Sequence, residues 1–379
     1  MLIFLFIVTI LSTANIYIFI KISSLVNLGT ISDILIGTVI LFMTISPVLI
    51  PVYSNRGSER SLRVFSYIGY MWLAFLVPFF PGLVICDLYN LAIQYSSALT
   101  GQDSGSIMLS RQYAFFIPLL VSLIVIIYGY FEARYFFIER ILIKSPKLPE
   151  KTGRVRIVQI SDLHLGAIVR DKVLKKVLQL VEDEKPDIIV STGDLVDGVV
   201  RHIDHLSYVL KNTRARLGKF AVLGNHELYG GTKNTVQFVQ DSGFTVLREK
   251  GITVDNTINI AGMDFTGGEA GKFNSKSHKE EQEVLSDLPQ GLFTLLLKHR
   301  SDVEDRSLGL FDLQLSGHTH KGQIFPMNLA TMFIFQYHSG LTELPKGSSI
   351  YVSRGTGTAG PPVRLLSRPE ITVIDIVSK

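Results

Sequence analysis

Cysteine, charge and basic clusters are all scarce in this chain. One cysteine occurs in 379 residues. Cys86 lies inside an apolar run, so no intrachain disulfide can form and the redox compartment is left unmarked. Charged residues make up only 18% against 47% hydrophobic, a greasy balance for a soluble protein. Lysine and arginine never form a stripe with interleaved aromatics, and no zinc-finger or RNA-recognition pattern is present, so nucleic acid is not an expected partner. Internal repeats and low-complexity tracts are also absent.

What is present divides into two halves. Residues 1 to about 140 hold long apolar runs, and from about 145 onward charged, glycine-rich and short apolar pieces alternate. The first run, Met1 to Ile20, carries no charge over a length that crosses a bilayer core. A secretory signal starts with basic residues, whereas here the first is Lys21, so a retained helix is expected. Three further spans are expected at Ile34–Tyr53, Phe65–Cys86 and Tyr113 to about Phe131, the second kinked by Pro47 and Pro51. The membrane bilayer is thus an expected partner.

Orientation follows from lysine and arginine placement. Arg56, Arg60 and Arg63 lie between the second and third spans, and a basic run from Arg134 to Arg156 follows the fourth. The opposite side offers only Lys21 and Arg111 against Asp33, Asp87 and Asp103. With four spans, both chain ends are expected in the cytoplasm, in a protein of the cell (inner) membrane. The mild net charge of +4 therefore marks a membrane surface.

Residues 1–145 are read as the helical anchor and 153–379 as a soluble domain, joined by the linker KSPKLPEK, Lys144 to Lys151. Strands are expected at Val155–Ile160, Asp187–Ser191, Phe220–Leu223, Ile258–Ala261, Phe293–Leu297, Leu313–Leu315, Ile350–Val352 and Ile371–Ile376. Asp171–Glu184 places Val173, Leu174, Val177, Leu178 and Val181 on one helical face. Strands alternating with helices indicate an α/β fold. Gly267–Glu283 reads as a mobile loop leading into a short helix.

Five polar clusters each follow an apolar strand: Asp162-Leu-His164, Gly193-Asp194, Gly224-Asn225-His226-Glu227, Lys298-His299 and Gly317-His318-Thr319-His320. Ligands of open α/β sheets gather at the carboxyl ends of strands, so clusters far apart in sequence can converge. Asp162, His164, Asp194, Asn225, His299, His318 and His320 supply the carboxylate, imidazole and amide donors that hydrolytic divalent cations want. Sulfur is absent from this set, which argues against a structural zinc site. In Asp-x-His and His-x-His, an extended backbone would turn both side chains to one face. The glycines before Asp194, Asn225 and His318 permit tight turns and close backbone approach.

Taken together, the five motifs in this order resemble the calcineurin-like metallophosphoesterase superfamily, in its bacterial membrane-anchored branch. The resemblance covers roughly Arg154 to Lys379 and includes the closing segment SRGTGTAGPPVRLLSRPEITVIDI. It implies a four-layer α-β-β-α sandwich and two divalent metal ions of the Mn, Fe or Zn kind. One ion would be held by Asp162, His164, Asp194 and His320, the other by Asp194, Asn225, His299 and His318, with Asp194 bridging. Such a pair, about 3.5–4 Å apart, acidifies a shared water and clamps the phosphate. His226, with no metal to hold, would stabilise the transition state or protonate the leaving oxygen, and Asp197 would orient a histidine ligand.

Other candidates lack a partner. His202, His205, His278 and His338 read as surface histidines, Asp264 as a strand end, and Arg300 as a salt-bridge partner. The function expected is therefore a membrane-anchored two-metal phosphohydrolase cleaving phosphodiester or pyrophosphate bonds. Its substrate is a phosphate ester, lipid-linked or nucleotide-linked. The competing class is a membrane sensor or transport component using a phosphoesterase-like domain to bind ligand. That class needs ionisable groups along its helices, and Asp33, Asp87 and Glu132 all fall near span ends.

Overall fold

The computed structural model describes residues 2–26, 29–101, 103, 105–198, 200, 202–229, 232–265 and 279–379. They form two compact units, Met1–Phe131 and Glu132–Lys379.

Four helices account for the first unit: α1 (Leu2–Val26), α2 (Thr30–Arg56), α3 (Glu59–Thr100) and α4 (Arg111–Glu132). Each is long and apolar enough to cross a membrane. A helix suits that solvent because it satisfies its own backbone groups. α2 continues through Pro47 and Pro51 to Arg56. Arg60 and Arg63, expected in a loop, lie in the opening turns of α3. With 42 residues, α3 is about 63 Å long, roughly twice the hydrocarbon thickness, and overruns the expected span at both ends. Ser58 caps its start, and Gly101 closes it in the left-handed region with its N–H on the Ser97 carbonyl. Ile18, Ile40, Leu76, Phe79 and Leu83 pack at the centre of the bundle. Lys21 Nζ lies 2.5 Å from Asp87 Oδ1, and the Tyr17 hydroxyl donates to the same carboxylate.

The second unit begins with a strand that hydropathy concealed, β1 (Phe137–Ser145). Its alternation, FIERILIK, reads as the basic flank of a span, and β12 is needed beside it to make it a strand. There follow β2 (Arg154–Ile160), α5 (Asp171–Asp183), β3 (Ile188–Ser191), α6 (Asp204–Asn212), β4 (Lys219–Ala221), α7 (Asn225–Tyr229), α8 (Thr232–Asp241) and β5 (Thr245–Val246). The remainder comprises β6 (Lys250–Val254), β7 (Ile258–Gly262), α9 (Glu281–Ser286), β8 (Phe293–Leu297), β9 (Leu313–Ser316), α10 (Met327–Ile334), β10 (Gly340–Glu343), β11 (Ser349–Val352) and β12 (Glu370–Ser378). Of the loop expected at Gly267–Glu283, residues 267–278 lie outside the described residues, and α9 follows.

Among the described residues, twelve strands build two sheets, ordered β1-β12-β2-β3-β4-β5 and β10-β11-β9-β8-β7-β6. β2, β3, β4 and β5 run parallel, as do β7, β8, β9 and β11. Alternation along β2 decides how the layers stack. Val155 and Ile157 face the second sheet, meeting Ile260, Leu295 and Leu313. Val158 and Ile160 point the other way, against Leu174, Val177, Leu178 and Val181 of α5. On the outer side of the second sheet, Ala261, Leu296 and Ile350 pack on Val284 and Leu285 of α9. The result is the expected four-layer α-β-β-α sandwich. It brings the carboxyl ends of β2, β3 and β4 opposite those of β8, β9 and β11.

Candidate metal centre

All five polar clusters emerge at that shared edge. Among the described residues, three groups of side chains present ligand atoms lying within 4.8 Å of one another: Asp162 with His164 and His320, His164 with Asp194 and His226, and Asp194 with His299 and His318. Asn225 joins them, its Oδ1 3.1 Å from His299 Nε2. The eight site residues expected from the sequence are therefore in one place. His202, His205 and His338 belong to none of these groups; His205 pairs with Asp171 at 3.0 Å, and the His338 carbonyl accepts the Thr319 hydroxyl beside the centre at 2.7 Å. His278 lies outside the described residues. Asp264 follows the end of β7 and is gripped by the Arg248 guanidinium at 2.6 and 2.8 Å.

The extended backbone expected for Asp-x-His and His-x-His is not found. Asp162, His164, Asp194, His318 and His320 have φ of 53°, 52°, 51°, 71° and 49°. Each is a non-glycine residue in the left-handed region, at a cost on the order of 1–3 kcal/mol. Tight turns just past the strand ends aim these side chains together, so convergence comes from curled backbone and not from strand alternation. Glycine is required where two such turns touch. A Cβ on Gly224 would lie 2.1 Å from Asp194 Oδ1, and one on Gly317 would lie 2.0 Å from Ser161 Oγ.

Backbone donors fix the carboxylates. Asp162 accepts the His318 N–H at 3.0 Å, which ties the first sheet to the second. The Ser161 hydroxyl donates to the same carboxylate. Asp194 accepts the His226 N–H at 2.9 Å and lies 3.3 Å from His299 Nε2. His299 Nδ1 sits 2.8 Å from the Thr192 carbonyl, which can only accept. Nδ1 therefore carries a proton in either charge state, and Nε2 is the nitrogen left to offer a lone pair to a cation. Asp197 Oδ1 is 2.8 Å from His226 Nδ1 and 3.5 Å from His164 Nδ1, so it holds His226 more closely than the ligand histidine it was expected to orient.

The electrostatics of this edge suit cations. Burial opposes charge on Asp194, yet His299, His226 and His164 hold its carboxyl well below the usual range. His299 is also penalised by burial, but Asp194 lifts it to about 10. Its neighbour His318 is pushed down to about 3 by burial and by the charge on His299. His318 Nδ1 faces His299 Nε2 at 3.1 Å, and His164 Nε2 faces His320 Nε2 at 3.0 Å. Imidazole nitrogens paired this closely share a proton, or give way to a cation that takes their lone pairs, beside buried carboxylates. The donor set therefore fits divalent ions.

Two contributors have roles that the sequence reading did not assign. Glu227, fully buried beside Asn225, accepts the backbone N–H groups of Gly224 at 2.7 Å, Asp194 at 2.9 Å and Val196 at 3.0 Å. It welds the turn after β3 to the turn after β4. Arg364, buried in the closing segment, donates to the carbonyls of Arg354 at 2.7 Å and Gly357 at 2.6 Å. Its Nη2 lies 3.2 Å from His320 Nδ1. Aromatic rings close one side: Phe265 and Phe335 lie 5.8 and 5.7 Å from the His318 ring.

Glu227→Gln replaces an acceptor-only group with one that presents an N–H to those backbone donors. The change is expected to destabilise the second unit by about 1–3 kcal/mol and to loosen metal retention. Thermal unfolding followed with and without added manganese checks this.

Comparison with known proteins agrees with the geometry. Residues 155–322 match the family model described as calcineurin-like phosphoesterase. The chain is 38% identical over 253 residues to an uncharacterized metallophosphoesterase of Aquifex aeolicus, covering 66% of this chain and 96% of that one. An uncharacterized metallophosphoesterase of Bacillus subtilis is 34% identical over 247 residues, covering 62% of this chain and 84% of its own. A Bos taurus protein named a transmembrane protein with metallophosphoesterase domain aligns over 326 residues at 28% identity, covering 82% of this chain and 73% of that one. With the Aquifex aeolicus relative matched over nearly its whole length, this membrane protein belongs to the calcineurin-like phosphoesterases.

Proposed function

We propose that the centre holds two divalent cations and hydrolyses phosphodiester or pyrophosphate bonds. The family are metal-dependent phosphoester hydrolases that generally bind two divalent metals. Asp194 carries the residue assignment, because it alone belongs both to a group with His164 and to the group of His299 and His318. One cation is assigned to Asp162, His164, Asp194 and His320, the other to Asp194, Asn225, His299 and His318. Oxygen and imidazole donors without sulfur suit Mn, Fe or Zn.

When bound, the cations supply Lewis-acid polarisation of the phosphoryl group and acidify the attacking water. The chain supplies proton transfer. Burial works against charge on His226, whereas Asp194 and the Asp197 carboxylate on its Nδ1 favour the protonated form. Because Asp197 takes Nδ1, the proton available to the leaving oxygen is the one on Nε2. Phe265 and Phe335 give an apolar wall beside His318, which favours a phosphate bearing a bulky organic substituent, lipid-linked or nucleotide-linked. The basic residues around Arg56–Arg63 and Arg134–Arg156 favour a cytoplasmic catalytic unit at the inner membrane.

Asp194→Asn is expected to abolish turnover of a chromogenic phosphodiester in excess manganese; activity within a few-fold of the unsubstituted protein would remove Asp194 from its bridging place. His226→Ala is expected to lower kcat by about 10²–10⁴-fold while metal content stays the same, and loss of one metal equivalent would make His226 a ligand. A reporter fused after Lys379 should be active only on the cytoplasmic side. An outward-facing reporter overturns the orientation and leaves the two-metal assignment standing.

A further inference from the structure

Arg364 is a fully buried charge with no part in proton transfer or metal ligation. Among the described residues its hydrogen bonds go to carbonyls, one hydroxyl and one imidazole, and to no carboxylate. A charge taken out of water without a paired acid is costly. A guanidinium, however, carries five donors in a rigid planar fork, so one side chain can set the relative positions of several groups.

The groups it sets belong to both sheets. The closing segment runs along the Asp162 turn: the Thr356 N–H donates to the Ser161 carbonyl at 2.7 Å, and the Gly357 N–H to the Asp162 carbonyl at 3.0 Å. The fit is close, since a Cβ on Gly357 would fall 2.0 Å from the Leu163 carbonyl oxygen. Arg364 Nη2 grips this run, donating to the carbonyls of Gly357 at 2.6 Å and Gly355 at 3.2 Å. Its Nη1 donates to the carbonyls of Arg354 at 2.7 Å and Ser367 at 2.9 Å. Ser367 in turn donates its hydroxyl to the His320 carbonyl at 2.6 Å, and Arg364 Nη2 lies 3.2 Å from His320 Nδ1. Asp162 lies just past β2 in the first sheet, and His320 just past β9 in the second. One guanidinium therefore reaches, through short bonds, two ligands assigned to the same cation from opposite sheets. Among the described residues, none of its bonds goes to Asn225, His299 or His318.

We propose that Arg364, together with Ser367, is a positioning residue for one cation of the pair, the one assigned to Asp162, His164, Asp194 and His320. It sets the separation of the Asp162 and His320 turns, as outer partners of metal ligands do. Its loss loosens that cation and leaves the one assigned to Asn225, His299 and His318 in place. The inference rests on the two-cation reading of the centre, and it makes the two cation places separable by a residue that touches neither ion.

The test titrates the full chain, purified in detergent, with manganese and follows the free ion by electron paramagnetic resonance. The unsubstituted protein should take up two equivalents, and His320→Ala identifies the step that belongs to the first cation. In Arg364→Gln that step should weaken by about 10–100-fold while the other is unchanged. Ser367→Ala, a milder change, should weaken the same step alone, and it decides the matter where Arg364→Gln does not fold. Weakening of both steps alike, together with a lower thermal stability, would mean a purely structural role and overturns the proposal. So does an unchanged titration, or a tightened first step, which would mean that the guanidinium charge repels the ion. Uptake of one equivalent by the unsubstituted protein overturns the two-cation reading, and this inference with it. That result is distinct from two equivalents indifferent to Arg364 and Ser367, which overturns the inference alone.

Discussion

Negative charge buried at the seam between two sheets is the constraint to which the rest of the catalytic unit answers. Asp162 and Asp194 sit at the ends of β2 and β3 with almost no exposure, where an uncompensated carboxylate is expensive. Compensation comes in layers. Imidazoles from the opposite sheet stand within 3.3–3.4 Å of them. Backbone N–H groups of His226 and His318 point at their oxygens. Glu227, a further buried acid, stays in place because it caps three backbone donors. Apart from the Gly224–Glu227 bond inside one turn, each of these contacts crosses from one strand end to another, so the charge that needs solvating also holds the edges of the sandwich in register.

How far this was legible depended on the kind of signal. An apolar strand followed by Asp, Asn, His or Gly is local, so the eight residues that gather at the strand ends, and most strands, could be picked out directly. The geometry that unites them could not. Left-handed φ at Asp162, His164, Asp194, His318 and His320 is a conformation that aspartate and histidine adopt more readily than most residues, but no spacing rule announces where they do so. Glu227 was in plain view in GNHE, yet its role lies in bonds to the backbone of another turn. Arg364 is further from reach still, since it serves carbonyls brought near by the closing segment. β1 was lost for a simpler reason: alternation mixed with lysine and arginine after a span looks like a membrane flank until β12 pairs with it.

The helical unit shows the opposite failure. Hydropathy found four helices but measured only their greasiest parts. α3 continues from Cys86 through Asp87, Asn90 and Gln94 to Thr100, residues too polar to score as a span although good enough for a helix. The Lys21–Asp87 pair with Tyr17 explains how α1 and α3 keep a carboxylate between them. Pairing removes most of the cost that would otherwise exclude such a group from apolar surroundings.

Strand order has a bearing on how the chain is made. β12 lies between β1 and β2, parallel to the first and antiparallel to the second, so the latest strand in sequence fills a central gap in the first sheet. β1 follows the last apolar helix directly, yet its partner is more than two hundred residues away. During synthesis β1 must wait, unpaired, through translation of the whole catalytic unit, and sheets of such high contact order close slowly. The Lys and Arg side chains along FIERILIK serve that interval well, since charge on an unpaired strand discourages pairing with strangers. Until Glu370–Ser378 has been made, Asp162 has no finished strand bed beneath it, and the centre cannot assemble around a half-built enzyme.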